Sequence, residues 1–172
     1  ENWVGDHGDD SALNGISFLC TNGQNVHSDI GSYGQWSITQ ICPAEEVIIG
    51  FNLRSEPWQR GGDDTAANNL QVYCSDGKML EGDGMTWGSW TGRQNCPEYF
   101  AVCGIQTQIN DIGPDITGLN NIRVKCCPRT SSRKKRTLDS KNILWRPVSG
   151  TPVTTGHQLV IIRIKLISPC NV

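Results

Sequence analysis

The feature that most constrains this chain is an internal repeat with a spacing of just over fifty residues. Gly8-Asp9-Asp10-Ser11-Ala12-Leu13-Asn14 returns as Gly62-Asp63-Asp64-Thr65-Ala66-Ala67-Asn68, an offset of 54. Cys20 maps to Cys74 at the same offset, Tyr33-Gly34-x-Trp36 to Trp87-Gly88-x-Trp90, Cys42-Pro43 to Cys96-Pro97, and Gly50-Phe51 to Gly104-Ile105. A third, degraded copy reads Asp115-Ile116-Thr117-Gly118-Leu119-Asn120-Asn121, followed by Cys126, at an offset of 52 from the second. So many matches in one register do not arise by chance.

Each unit reads as an aromatic-Gly-x-Trp turn, Cys-Pro, a strand, an acidic loop and a second strand ending in Cys. Alternating patterns predict strands over Val47 to Arg54, Leu70 to Cys74, Ala101 to Ile109 and Ile122 to Cys126. The pairs Asn22-Gly23 and Asp76-Gly77 supply hairpin turns. Units this small cannot enclose a core alone, so their apolar faces must pack together. The chain has two Trp/Cys-Pro halves but three acidic halves, and Glu1-x-Trp3 resembles Glu56-x-Trp58. This predicts a chain that begins partway through its first unit, with approximate units 1–32, 33–86 and 87–129 and a distinct segment 130–172.

Composition agrees with short strands and tight turns: of 172 residues, 19 are glycine and 6 tryptophan, against 2 methionines. No amphipathic helical pattern is evident, and no apolar run approaches the roughly 18 residues a membrane span needs. The formal charge of −2 conceals an asymmetry. Residues 1–128 carry −10 and residues 129–172 carry +8. An acidic body lacks the clustered positive charge that nucleic acid demands. Eight cysteines without a C-x-x-C pair, and three scattered histidines, favour disulfides in an oxidising compartment over a zinc site. No cofactor motif is present: Gly82-x-Gly84 precedes a tryptophan turn rather than joining a strand to a helix. Nucleophile elbows, phosphate loops, zinc-protease helices and Asn-x-Ser/Thr sequons are also missing.

The combination of Gly-Asp-Asp-Thr-Ala-Ala-Asn-Asn (62–69), Trp-Gly-Ser-Trp (87–90), Cys-Gly-Ile-Gln-Thr (103–107) and Cys126-Cys127 resembles the vitelline membrane outer layer protein I family. The resemblance covers residues 1–129. It implies an all-β fold, a β-prism of three Greek-key sheets in pseudo-threefold arrangement, here with the first sheet incomplete. It also implies secretion and a place in an extracellular coat, with matrix or egg-coat proteins and glycans as partners. The absent first Trp/Cys-Pro half and the segment from Thr130 depart from the family pattern.

Repeat equivalence then suggests bridges Cys42–Cys74 and Cys96–Cys127, with Cys103–Cys126 as an extra staple in the last unit. Cys20 would lack its partner and be a free buried thiol, or else reach Cys170.

The recurring acidic pairs are the leading functional candidates. Asp9-Asp10 and Asp63-Asp64 occupy equivalent positions, and Asp115 remains in the third copy. Paired carboxylates can bind sugar hydroxyls, hold calcium or act on a glycosidic bond. Against this, Asp and Asn in short turns commonly accept backbone N–H bonds, and a thrice-repeated motif usually serves the fold. Turn chemistry is the favoured reading. Trp36, Trp87, Trp90 and Tyr33 are expected to fill the core or clamp the turn, with the core favoured, rather than stack on sugars. Trp3 and Trp58, beside the acidic pairs, are the preferred stacking residues, together with Glu56.

In the tail, Arg133-Lys134-Lys135-Arg136 reads equally as a convertase site cleaved after Arg136 or as a solvated linker. The apolar run Leu159 to Leu166 has high β propensity and could patch the incomplete sheet. The favoured expectation is that it stays unpaired as non-native sequence, since an apolar strand without a repeat partner is an aggregation hazard. The functional expectation is a non-enzymatic, secreted coat or matrix protein. The alternatives are a lectin-like carbohydrate-binding module and a carbohydrate-active enzyme acting on N-acetylglucosamine oligosaccharides.

Overall fold

The computed structural model describes residues 12–43, 46–57, 65–110, 112 and 117–129, and the backbone of 144–147 and 160–165. Among these residues the chain is all-β, with no helix. The strands are β1 (Leu13–Leu19), β2 (Asn25–His27), β3 (Gln40–Ile41), β4 (Ile48–Ser55), β5 (Ala67–Cys74) and β6 (Met79–Glu81). They continue with β7 (Ser89–Trp90), β8 (Gln94–Asn95), β9 (Phe100–Asn110), β10 (Gly118–Pro128), β11 (Leu144–Pro147) and β12 (Val160–Lys165). They form three sheets: β2-β1-β12-β3, then β6-β5-β4-β7 with β8 also on β4, and finally β11-β10-β9.

Alternation decides which side chains face inward. Along β10, Ile122, Val124 and Cys126 are buried, whereas Arg123 is exposed and Lys125 half-buried. The inward residues of all three sheets form one cluster: Leu13, Ile16 and Phe18 of β1, Phe51 and Leu53 of β4, Leu70 and Val72 of β5, with Val102, Ile105, Leu119, Ile122 and Val124 of β9 and β10. Burying each such side chain contributes about 1.5–3 kcal/mol. A disulfide contributes about 2–4 kcal/mol, comparable to one or two of them. The shared core therefore outweighs any single bridge.

Sequence equivalence reappears as equivalent geometry. In the β1–β2 turn, Cys20 N–H donates to Gln24 C=O at 2.8 Å and Gly23 N–H to Cys20 C=O at 2.9 Å. Fifty-four residues on, Cys74 N–H donates to Lys78 C=O at 2.8 Å and Gly77 N–H to Cys74 C=O at 3.0 Å. The strand after each acidic loop also carries a bulge at one asparagine. The ladder skips Asn14 between Leu13 and Gly15, Asn68 between Ala67 and Asn69, and Asn120 between Leu119 and Asn121. Asn68 is fully buried. Its Nδ2 donates to Thr65 Oγ1 at 2.7 Å, tying the bulge to the end of the acidic loop.

The cysteines correct part of the expected pairing. Cys42 is bonded to Cys74, but Cys96 is bonded to Cys126 and Cys103 to Cys127. The two bridges of the last unit thus exchange partners relative to Cys96–Cys127 and Cys103–Cys126. Successive strand residues point to opposite faces. Cys126, fully buried like Cys74, belongs on the core side, where Cys96 packs. Its neighbour Cys127 meets Cys103. Cys20 is disulfide-bonded as well, which overturns the free-thiol expectation, while Cys170 lies outside the described residues.

The tail supplies the other correction. β12 is not left unpaired: it runs parallel to β1, from Leu13↔Val160 to Leu19↔Lys165, and reaches β3 through Ile164↔Gln40 and Lys165↔Ile41. β11 adds antiparallel to β10. Unpaired edges on β1 and β3 attract any available strand, and this run has the composition for one.

The aromatic-Gly-x-Trp turns need glycine. Gly34 and Gly88 have φ of 87° and 71°, a region that Cβ disfavours. A Cβ on Gly88 would stand 2.3 Å from the Ser55 carbonyl oxygen. Gly88→Ala should therefore cost more than the ~1–2 kcal/mol of the left-handed conformation alone. Gly77→Ala, where φ is 92° but the added Cβ meets open space, should cost only that; thermal unfolding of the two variants compares them. For the bulge, Asn68→Ala should cost about 1–3 kcal/mol by stranding the Thr65 hydroxyl's acceptor site. Asn68→Asp should cost more, because it buries a carboxylate where Glu56 already takes the Thr65 proton. Denaturant midpoints in the order wild type, Ala, Asp check this.

Candidate functional site

Most residues singled out from the sequence lie outside the described residues: Trp3, Asp9, Asp10, Trp58, Asp63, Asp64, Asp115 and Arg136. The structure therefore does not bring the acidic pairs together or apart. Glu56 is described, at the exit of β4 where the acidic loop begins. Its Oε2 accepts from Thr65 Oγ1 at 2.7 Å and from Thr65 N–H at 3.4 Å. Its own N–H donates to Ala66 C=O at 3.0 Å. Glu56, Thr65 and Asn68 form one hydrogen-bonded chain that clamps the two ends of the loop. That is turn chemistry for Glu56.

Of the two expected roles of the repeated aromatics, the favoured one, filling the core, is not what the structure has. Tyr33 and Trp87 are exposed at 52% and 38%, and Trp36 and Trp90 are half-buried. Arg54 lies 5.6 Å from the Trp90 ring centroid, and its Nε donates to the Trp87 and Gly88 carbonyls at 3.1 and 3.2 Å. Trp90 takes the other expected role, its turn held against the sheet edge by the Arg54 cation.

Sequence reasoning missed a cleft on the third sheet. It encloses about 330 Å³ and is lined, among the described residues, by Gln106, Thr107 and Gln108 of β9 and Asn121, Ile122 and Arg123 of β10. The register places Gln106 opposite Arg123, Thr107 opposite Ile122 and Gln108 opposite Asn121. Thr107 and Ile122 are buried, so the two flanking cross-strand pairs stand on the outer face. The Thr107 hydroxyl donates to the Asp29 carbonyl at 2.5 Å, which ties the loop after β2 to β9. Asn121 Oδ1 accepts from Ile122 N–H at 2.8 Å.

The corresponding face of the second sheet is closed by its own bonds. Asn52 Nδ2 donates to Gln71 Oε1 at 3.2 Å, Tyr73 OH donates to the same oxygen at 3.1 Å, and Gln71 Nε2 donates to Glu81 at 2.7 Å. Arg93 covers the Tyr73 ring at 3.9 Å from its centroid. No carboxylate or nucleophile lines the third-sheet cleft among the described residues. Its amides and guanidinium can donate to and accept from a polyhydroxyl ligand but offer no acid–base pair. Also among the described residues, no group of three or more His, Cys, Asp or Glu could hold a metal ion, and no helix is long and apolar enough to cross a membrane.

With this geometry in view, comparison with known proteins is informative. A sequence model of the family described as Vitelline membrane outer layer protein I matches residues 1–129. The mouse (Mus musculus) protein named Vitelline membrane outer layer protein 1 homolog is 44% identical over 129 residues, which cover 70% of this chain and 63% of that protein. The human (Homo sapiens) protein of the same name is 42% identical over 133 residues, with the same two shares. The chain thus spans less than two thirds of the length of these curated relatives. Over three quarters of its length, on the segment that holds the repeat and the disulfides described above, this chain belongs to the vitelline membrane outer layer protein I family.

Proposed function

We propose that this protein is a secreted structural component of an extracellular coat or matrix, of the kind that forms the outer layer of an egg envelope. The observation that carries this reading is the family match over residues 1–129. Two physical features support it. The bridges Cys42–Cys74, Cys96–Cys126 and Cys103–Cys127 suit an oxidising, extracellular setting. The apolar faces of three sheets meet in one core, which fits walls of a prism built from residues 1–129 with the tail as an accessory. In this reading the scaffold is rigid and its partners are coat proteins and glycans. The full chain, made in a secreting host, should be recovered from the medium and retained on isolated outer egg-coat material through washing. Intracellular retention of folded protein, or unhindered passage over the coat, would reject the proposal.

A lectin-like reading is favoured by one observation, the polar cleft of the third sheet. Gln106, Gln108 and Arg123 make no side-chain hydrogen bond among the described residues, and sugar hydroxyls or an N-acetyl group would satisfy them. If the cleft binds glycan, Arg123→Ala with Gln106→Ala should weaken binding at least tenfold, since a hydrogen bond to a charged group is worth roughly 1.5–3 kcal/mol. A glycan or chitooligosaccharide array reads this, with unchanged thermal unfolding as the control. The acidic loops remain the place to test catalysis. Turnover of N-acetylglucosamine oligosaccharides that is the same in wild type and in Asp63→Asn and Asp64→Asn variants would remove those residues from consideration.

A further inference from the structure

Three strands of the first sheet match strands of the second, while β7 has no equivalent strand in the first among the described residues. β1 and β2 stand 54 residues before the segments that form β5 and β6, and β3 stands 54 before β8. In the second sheet β4 lies between β5 and β8, antiparallel to both. The third sheet repeats the β4–β5 half of this arrangement, with β9 antiparallel to β10. In the first sheet the equivalent place, between β1 and β3, is held by β12, which runs parallel to its neighbours.

Despite its direction, β12 pairs with β1 over the positions at which β4 pairs with β5. At equivalent positions Ile16 pairs with Ile162, Leu70 with Leu53 and Ile122 with Thr107. The bulge is reproduced as well: Leu13 pairs with Val160 and Gly15 with Ile161, so Asn14 is skipped as Asn68 and Asn120 are. β1 thus presents the same row of backbone groups and the same buried side chains, Leu13, Ile16 and Phe18, whichever way the neighbouring strand runs. Main-chain hydrogen bonds supply most of the affinity in strand addition, and alternate side-chain positions supply the selectivity. Parallel pairing is slightly weaker per residue than antiparallel.

We infer that the place between β1 and β3 is a strand-acceptor site. Its ligand is an extended peptide with apolar residues at alternate positions. The chain's own β12 occupies it in one direction, and a peptide with the pattern of β4 can occupy it in the other. The site is therefore a β-augmentation groove closed by an intramolecular occupant, and whatever displaces β12 gains access to it.

A fluorescent peptide of the sequence Val47 to Ser55 tests this against the full chain. Ile162→Pro removes the backbone donor at the centre of β12 and disfavours its place inside a sheet. The peptide should bind the Ile162→Pro chain at least tenfold more tightly than wild type by fluorescence anisotropy. The same peptide with Leu53→Pro should not bind either chain. Equal binding to wild type and variant, or no binding to a variant that still unfolds cooperatively, would overturn the inference. If the variant does not fold alone, added peptide should restore hydrogen-exchange protection at Ile16, Ser17 and Phe18; absence of that protection would overturn it equally.

Discussion

Everything in this molecule depends on one apolar interior to which three sheets contribute. No sheet could stand alone, because each offers a single buried face of a few residues. Leu70 and Val72 need Ile122 and Val124 opposite them, and both groups need Ile16 and Phe18. The cost of exposing one such face is shared by all three sheets. This explains why the chain repeats the same strand pattern and the same bulged asparagine.

The same constraint accounts for the behaviour of the tail. A first sheet lacking the strand beside β1 would expose Leu13, Ile16 and Phe18 and leave two backbone edges open. Satisfying the ladder matters more than preserving direction, so a run from the far end of the chain serves. β11 adds to β10 just as β6 adds to β5, at the equivalent residues Arg123 to Cys126 and Gln71 to Tyr73. A segment without sequence equivalence has thus acquired structural equivalence, because the core demands cover rather than a particular sequence.

Polar residues that close the scaffold and polar residues left facing outward separate cleanly. Glu56, Thr65 and Asn68 show that polar residues at the root of an acidic loop serve to close it. The third-sheet cleft shows the opposite case: Gln106, Gln108 and Arg123 hold no loop and face outward. In the second sheet, equivalent positions are consumed by a local network. The difference arises because Tyr73 and Glu81 stand ready to bond Gln71, whereas Lys125, the equivalent of Tyr73, offers Arg123 only a like charge.

From the sequence alone, the all-β class, four strands near Val47–Arg54, Leu70–Cys74, Ala101–Ile109 and Ile122–Cys126, the hairpin turns and the family were legible, since alternation, glycine placement and repeat spacing are local properties; the pairing of those strands came with the structure. Which of Cys126 and Cys127 meets Cys96 was not, because that depends on the face each presents, and a shift of one residue reverses it. The tryptophans were legible only in part: their recurrence marks a turn, and only the assembled sheet shows the Trp90 ring half-buried beside Arg54. The cleft was invisible because its lining comes from two strands whose residues become neighbours only through register. The place of β12 was hidden most deeply. A strand's composition announces that it will pair, but its partner and its direction are chosen by whichever exposed edge and uncovered core the rest of the fold leaves open.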